Sequence, residues 1–409
     1  MASERRYAGR PIRRRRVRAW FSFAGTAECA TGLIATDSSK TAHFGIPAVF
    51  VSGLTGSDSA KGNRQHMILD ALNRQTEMSI RAGIDFLLAG QDRDGFWRDY
   101  HLRTGPSEAW TTAWVGWCLT GFSTAPRVRD ALRRAIAAIR STRTPYGWGY
   151  NRNTGADADS TAWVVNFLSA AGYRCPELAE QLLLPFISPS GSVRTFLDPT
   201  VGTWCDPHLD VASMVGLALL NSGARCEFVS RIRAMLLDAA EIDGTWPSFW
   251  WASRTYATVW AGCFLQRTGG LDPRHTGQLV EFLSAESSRQ TVMEETLGLL
   301  LLQELNAPEI IAARIAINLL EGQQASGGWN PSPMLLVPLR TATDDLKDVG
   351  PHGDVRALVS TALACFSLFR WSASTAHVTE SRASGSAYDQ RWSAATGMAN
   401  QTPNGPNYG

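Results

Sequence analysis

A glycine-led aromatic turn followed by an almost wholly apolar helix recurs along this chain, and the recurrence limits the fold more than any other feature. The turns start at Gly95 (GFW), Gly147 (GWGY), Gly191 (GSVRTF), Gly244 (GTW) and Gly327 (GGW), about fifty residues apart with one interval nearly twice as long. A degenerate unit at 287–305 fits the long interval. Helical spacing of apolar residues predicts helices over 109–121, 157–172, 210–223, 254–267, 292–305 and 354–369, each rich in Ala, Leu, Val and aromatic residues. Amphipathic stretches precede them, at 66–88, 128–140, 177–184, 228–240, 277–283 and 309–321. A helix that is apolar all round must be covered all round, whereas an amphipathic one buries a single face. Six such pairs predict an all-α chain wound as an α/α toroid, a double ring with the apolar helices inside.

The repeat defines one barrel over 65–372, between a basic, mostly irregular segment at 1–64 and a polar tail at 373–409 expected to be disordered. Net charge is only +2, yet the first 20 residues hold eight Arg and one Glu. Such an arm suits an anionic surface. The expectation is peripheral contact with a membrane and no nucleic-acid partner; the plainer alternative is a tail without a partner. No apolar run reaches the ~18 residues of a membrane span. The seven cysteines are scattered and form no C-x-x-C, which fits a reduced, cytoplasmic setting. Cys118, Cys205, Cys263 and Cys365 fall in or beside apolar helical runs, where cysteine serves as a small core residue.

Asp157 and Asp159 open the second apolar helix in the sequence GADADSTAW. They read either as helix caps or as a carboxylate pair, in which the charge of one raises the pKa of the other. His208 and Asp210 open the third apolar helix and Glu294 and Glu295 the fifth; the plain reading is a cap for the former and solvated charges for the latter. Trp97, Trp148, Trp204, Trp246, Trp250, Trp251, Tyr256 and Trp329 sit in turns or helix starts that the toroid would gather on one rim. They serve either as packing staples of the repeat or as the wall of a pocket. Asp344, Asp345 and Asp348 spell D-D-x-x-D, but in a loop that also contains Lys347, so no metal site is expected there. Phosphate-loop, nucleophile-elbow and H-E-x-x-H motifs are absent, and no cofactor is expected.

These residues resemble a family. Q-x-x-x-G-x-W occurs at Gln91–Gly95–Trp97 and at Gln323–Gly327–Trp329. It is similar to the repeat of squalene–hopene cyclases and related class II terpenoid cyclases, which share a double ring of helices with protein prenyltransferase β subunits. DADSTAW resembles the family's acid motif D-x-D-D-T-A. CDPHLDVAS and DGTWPSFWWASRTYAT resemble two later helix starts of the same cyclases. The resemblance implies a cofactor-independent enzyme that cyclises or isomerises a prenyl chain or a prenylated small molecule by protonating it. Asp159 would be the general acid and Asp157 its partner. Trp97, Trp110, Trp148, Trp204, His208, Asp210, Trp250, Tyr256 and Trp329 would contact the substrate.

Three departures stand out. Ser160 replaces the motif's last aspartate, Met214 stands where the cyclases carry a histidine supporting the acid, and the chain has residues for one barrel instead of two. His208 is a candidate substitute for the missing histidine. A second protein or a second copy of the chain is a candidate to close the barrel mouth. The prenyltransferase alternative would need zinc, and its Asp-x-Cys ligand pair is missing. A non-catalytic barrel that binds an apolar ligand or peptide remains the competing reading, and a barrel lyase or transferase using the same rim is a third. Chemistry separates them. Protonating an alkene needs a carboxylic acid that is neutral at rest, which burial and a neighbouring carboxylate favour and a helix N-terminus opposes. The resulting cation needs a dry pocket of π faces.

Overall fold

Amphipathic and apolar helices alternate through the computed structural model, which describes residues 59–285, 289–341 and 349–384. The Arg-rich arm and the Asp344–Asp345–Asp348 motif lie outside the described residues. The outer helices are α1 (Ser59–Ala89), α3 (Pro126–Ser141), α5 (Pro176–Leu183), α7 (Cys226–Asp238), α9 (Pro273–Ser284) and α11 (Glu309–Glu321). The inner ones are α2 (Ala109–Leu119), α4 (Ala158–Ala170), α6 (Leu209–Ser222), α8 (Arg254–Arg267), α10 (Val292–Glu304) and α12 (Leu358–Ser384). Each inner helix packs on the next, and α12 packs back on α2, so the ring is closed. Every residue of α2 is buried, whereas α3 buries Val128, Leu132, Ala135 and Ile139 and turns its arginines outward. That is the expected α/α toroid. Two short hairpins, β1 (Asp99–Leu102) with β2 (Gly105–Ser107) and β3 (Pro333–Leu335) with β4 (His352–Gly353), lie in the connections that lead into α2 and α12.

The boundaries differ from expectation in places. The first helix begins at Ser59, inside the segment expected to be irregular. The last begins at Leu358, because β4 and a turn at Ala357 (φ 55°) occupy the residues before it, and it continues to Ser384, past the expected boundary at 372. Glu294 is not solvated: at 6% exposed it closes a capping box with Thr291. Cys205 is only half-buried, unlike Cys118, Cys263 and Cys365. No helix among the described residues is long and apolar enough to cross a membrane.

One bond explains the recurring tryptophan. The last four carbonyls of a helix lack partners within it. In four units the indole Nε1–H donates to the third carbonyl from the end of the preceding outer helix: Trp97 to Leu87 (2.7 Å), Trp148 to Ile139 (2.8 Å), Trp246 to Leu236 (2.8 Å) and Trp329 to Leu319 (2.6 Å). The amide of the same tryptophan donates to a threonine in the following inner helix, namely Thr112, Thr161, Thr258 and Thr361. Each tryptophan therefore ties an outer helix to the next inner one. The glycine two residues before Trp97 and Trp329 lets the turn press on a neighbour. A Cβ on Gly95 (φ 91°) would meet the Arg134 carbonyl oxygen at 2.6 Å, and one on Gly327 (φ 89°) would meet that of Ala82 at the same distance. The glutamine of the motif bridges across. Gln91 Nε2 donates to Gly95 O and Ala131 O, and Gln323 Nε2 donates to Gly327 O and Ser79 O.

At the opposite end of the inner ring, Glu304 ends α10 and accepts from Arg267 of α8 (2.5 Å) and Arg370 of α12 (2.7 Å). Burial alone would raise the pKa of Glu304, but the two guanidiniums outweigh it and hold the group at about 2.

Two outcomes follow from these bonds. Trp246→Phe keeps the ring but strands the Leu236 carbonyl, and should cost about 1–3 kcal/mol in urea unfolding. Glu304 is depressed from its ordinary 4.5, so its contribution is full above that pH and is lost as pH falls towards about 2. Glu304→Gln should be about 3–5 kcal/mol less stable than wild type at pH 6, with a smaller deficit at pH 3, measured by the same titration.

Candidate active site

Asp157 begins the site as the N-cap of α4. Its Oδ1 accepts from the Ser160 amide (2.6 Å) and its Oδ2 from the Ser160 hydroxyl (2.8 Å). The departure at Ser160 thus gives Asp157 a second bond. Burial pushes the Asp157 carboxyl up to about 7, against the pull of those two bonds. Asp159 lies in the first turn of the same helix and points elsewhere. Its Oδ2 accepts from Trp110 Nε1 of α2 at 2.7 Å. Burial raises its pKa well above the ordinary carboxylate range, the Asp157 and Asp210 charges raise it further, and the Trp110 bond opposes them. Asp157 and Asp210 are 4% and 1% exposed, whereas Asp159 is only half-buried.

Asp210 occupies the first turn of α6. Its Oδ2 accepts from the amides of Phe249 (2.9 Å) and Trp250 (2.8 Å), which fixes the loop entering α8. Burial raises its pKa against those bonds. His208 is bonded away from Asp159. Its Nδ1 lies 2.9 Å from Thr195 Oγ1, and its ring stacks on Phe249 at 3.7 Å. Burial lowers its pKa to about 4, so it is neutral at pH 7. Thr195 also receives Trp250 Nε1–H (2.9 Å), and its carbonyl receives the Ala158 amide (2.9 Å). Thr195 therefore links the start of α4 to His208 and Trp250. Met214, where the cyclases carry a histidine, has its sulfur 3.0 Å from Asn166 Nδ2, two turns below Asp159 on α4.

Among the aromatic residues expected at the substrate, Trp97, Trp148 and Trp329 are not brought to this place. They are the staples between the rings, each at most 2% exposed. Trp110, Trp250 and Tyr256 are brought together with the carboxylates. Trp204 joins through Trp250 at 5.3 Å and is tied by its Nε1 to Pro338 O. The Tyr256 ring stacks on Trp251 at 4.0 Å and its hydroxyl accepts from Trp163 Nε1 (3.3 Å). Trp110 packs against Trp114, Trp163, Trp251 and Tyr100 within 6.0 Å. Sequence reasoning missed Thr195, Tyr100, Trp114, Trp163 and Trp260 as members of this cluster. The tryptophan spacing in α2 (Trp110, Trp114, Trp117) was the available signal for part of it. Among the described residues no group of His, Cys, Asp and Glu is arranged to hold a metal ion.

No family model and no curated protein matches the sequence. Solved structures do match. A type II terpene cyclase from Scytonema, MstE, in an apo form, aligns with a TM-score of 0.63 at 24% identity, over 72% of this chain and 98% of that one. A variant of MstE in complex with geranylgeranyl dihydroxybenzoate, its substrate, aligns with a TM-score of 0.64 at 23% identity, over 74% of this chain and 99% of that one. A protein from Actinoplanes aligns with a TM-score of 0.62 at 24% identity, over 72% of this chain and 99% of that one. The chain has the fold of the type II terpene cyclases it is similar to, wound as one α/α barrel.

Proposed function

We propose that this protein is a type II terpene cyclase that protonates the prenyl chain of a prenylated small molecule with Asp159 as general acid. One observation carries the reading: a carboxyl kept protonated by burial, with one oxygen taken by an indole N–H and open surface left over. With Oδ2 accepting from Trp110, the proton sits on Oδ1. Transfer breaks that O–H bond and forms a C–H bond on the alkene, leaving a tertiary cation. Trp110 Nε1–H then faces a carboxylate and stabilises it. The π faces of Trp110, Trp163, Trp251 and Tyr256 stabilise the cation and keep water from it. Asp157 acts through its position beside the acid, where its charge raises the pKa of Asp159. MstE, of the same fold, binds geranylgeranyl dihydroxybenzoate, so a prenylated arene is the substrate class to try first. The arginine-rich first 20 residues suit an enzyme that collects an apolar substrate at an anionic membrane surface.

Asp159→Asn keeps the shape and removes the proton, so product formation from a prenylated arene should fall by at least ~100-fold with the melting curve unchanged. Asp157→Asn should be milder. A folded Asp159→Asn protein with near wild-type turnover would remove the acid role, and ligand binding indifferent to both substitutions would favour a binding module.

The pH profile carries a sign. Activity needs neutral Asp159, so kcat/KM should be flat on the acid side and fall as pH rises through the raised pKa. Trp110 favours the anion. Trp110→Phe should therefore move that falling limb to higher pH, read from kcat/KM over a pH series.

A further inference from the structure

The outer face of α3 is basic. Residues 126–143 include six Arg and one Asp, and all six arginines are exposed. Arg127 pairs with Asp85, Arg133 with Asp130, and Arg134 bonds Gln91. Arg140 and Arg143 have no carboxylate partner among the described residues. Each lies on an aromatic ring instead, Arg140 over Tyr173 at 4.9 Å and Arg143 over Trp148 at 6.0 Å. Stacking holds a guanidinium by its face and leaves the N–H groups at its edge to bond elsewhere. The two arginines line a pocket of about 270 Å³ together with Arg174, Leu168, Leu178 and Cys175. The helix ends that build it have taken their own carbonyls: Trp148 Nε1 donates to Ile139 O, and the Tyr173 amide donates to Leu168 O (2.8 Å) past the left-handed Gly172. Cys175 is the N-cap of α5, whose dipole favours an anion there. No carboxylate lines the pocket; Glu177 lies at its edge, with Oε2 4.0 Å from the Cys175 sulfur.

We infer that this pocket holds the phosphate headgroup of an anionic phospholipid, bound by Arg140 and Arg143 with its glycerol carbons against Leu168 and Leu178. The chemistry it selects is a phosphate carried on an apolar body. Guanidinium edges match phosphate oxygens in charge and in geometry. The pocket is larger than a bare phosphate needs, and its leucines and rings suit carbon better than water. Two features favour a bilayer over a single soluble anion. Tyr146, in the turn between Arg143 and Trp148, is 71% exposed, and Tyr173 is 49% exposed. Aromatic residues of this kind are enriched at membrane interfaces. The remaining arginines of α3 extend the basic surface beside the pocket, where anionic lipids next to the bound one add attraction. A headgroup held here sets which side of the barrel faces the bilayer. None of these residues takes part in the site around Asp159, so the inference does not depend on the cyclase reading.

The test reads Cys175, which is exposed at the pocket. Its alkylation rate in the full chain, followed by peptide mass spectrometry, should fall when the pocket fills. Dihexanoyl phosphatidylglycerol at monomeric concentrations should protect it, and inorganic phosphate at the same concentration should not. No protection by the lipid overturns the inference, and equal protection by phosphate assigns the pocket to a free anion and overturns it too. Arg140→Gln combined with Arg143→Gln should raise the lipid concentration needed for protection by at least ~10-fold. Arg129→Gln combined with Arg133→Gln removes the same charge from the same helix, over ~10 Å from Arg140 at 1.5 Å per residue. At physiological salt, where exposed charges are screened beyond ~8 Å, that pair should change protection by less than about 2-fold. All four positions are exposed, so both variants should melt with the wild type. Equal losses in the two variants overturn the inference in favour of a diffuse basic face. Phosphatidylcholine vesicles containing phosphatidylglycerol should protect Cys175 as well, and pure phosphatidylcholine vesicles should not. Vesicles that bind the chain while Cys175 stays fully reactive place the contact elsewhere on the chain and overturn the inference.

Discussion

A tryptophan N–H on an orphan helix carbonyl is the contact on which the architecture depends. A double ring of helices creates many helix ends, and the outer helices end where chain and neighbour both cover them. An unpaired carbonyl there would cost about 1–3 kcal/mol. Trp97, Trp148, Trp246 and Trp329 each remove one such cost and use their amides to bind a threonine of the next inner helix. The third and fifth units lack a tryptophan at this place. The Gly191 turn relies on Val193 and on close backbone contact with Arg231, and the fifth inner helix relies on its capping box.

The same geometry gathers buried carboxylates at the mouth. Every inner helix starts there, and several of those starts are capped by carboxylates: Asp157 on α4, Glu294 on α10, and Asp99, whose Oδ2 takes the Leu358 amide of α12. Asp354 caps the same helix through Ser360 and is pushed up to about 7 by burial and by the charge of Asp99. Groups raised in this way contribute most below the ordinary 3.8, and that contribution disappears as pH rises through about 7. Glu304 at the other end behaves oppositely. The capped carboxylates are held by two or more bonds each, while Asp159 has the single Trp110 bond among those described.

The toroid was legible because its two helix classes differ in polarity, and polarity is a property of sequence. Asp157 and Asp159 were legible as a pair from their spacing, and only the family resemblance set them apart. Which carboxylate caps and which points inward depends on Ser160 and on Trp110, a residue from another helix. The tryptophans misled for a related reason. Trp97 and Trp110 are equally aromatic and both lie at helix starts, yet one bonds a carbonyl between the rings and the other bonds Asp159 inside the inner ring. Helical phase relative to the axis decides this, and phase is set by the turn that enters the helix. Thr195 had no signal, since its value lies in being within reach of His208, Trp250 and Ala158 at once.

The bond from Gln323 to Ser79 joins the sixth unit to the first outer helix, and α12 lies against both α1 and α2. The ring is therefore sealed by partners from opposite ends of the repeat. During synthesis, α1 leaves the ribosome before the other described helices and has no permanent inner neighbour until α12 follows it out. Until then its apolar face needs a temporary cover, which makes the arc before closure the state most exposed to chaperones and to misassembly. A linear solenoid grows by adding units to a finished edge. This toroid has no finished edge at all until its last helix arrives.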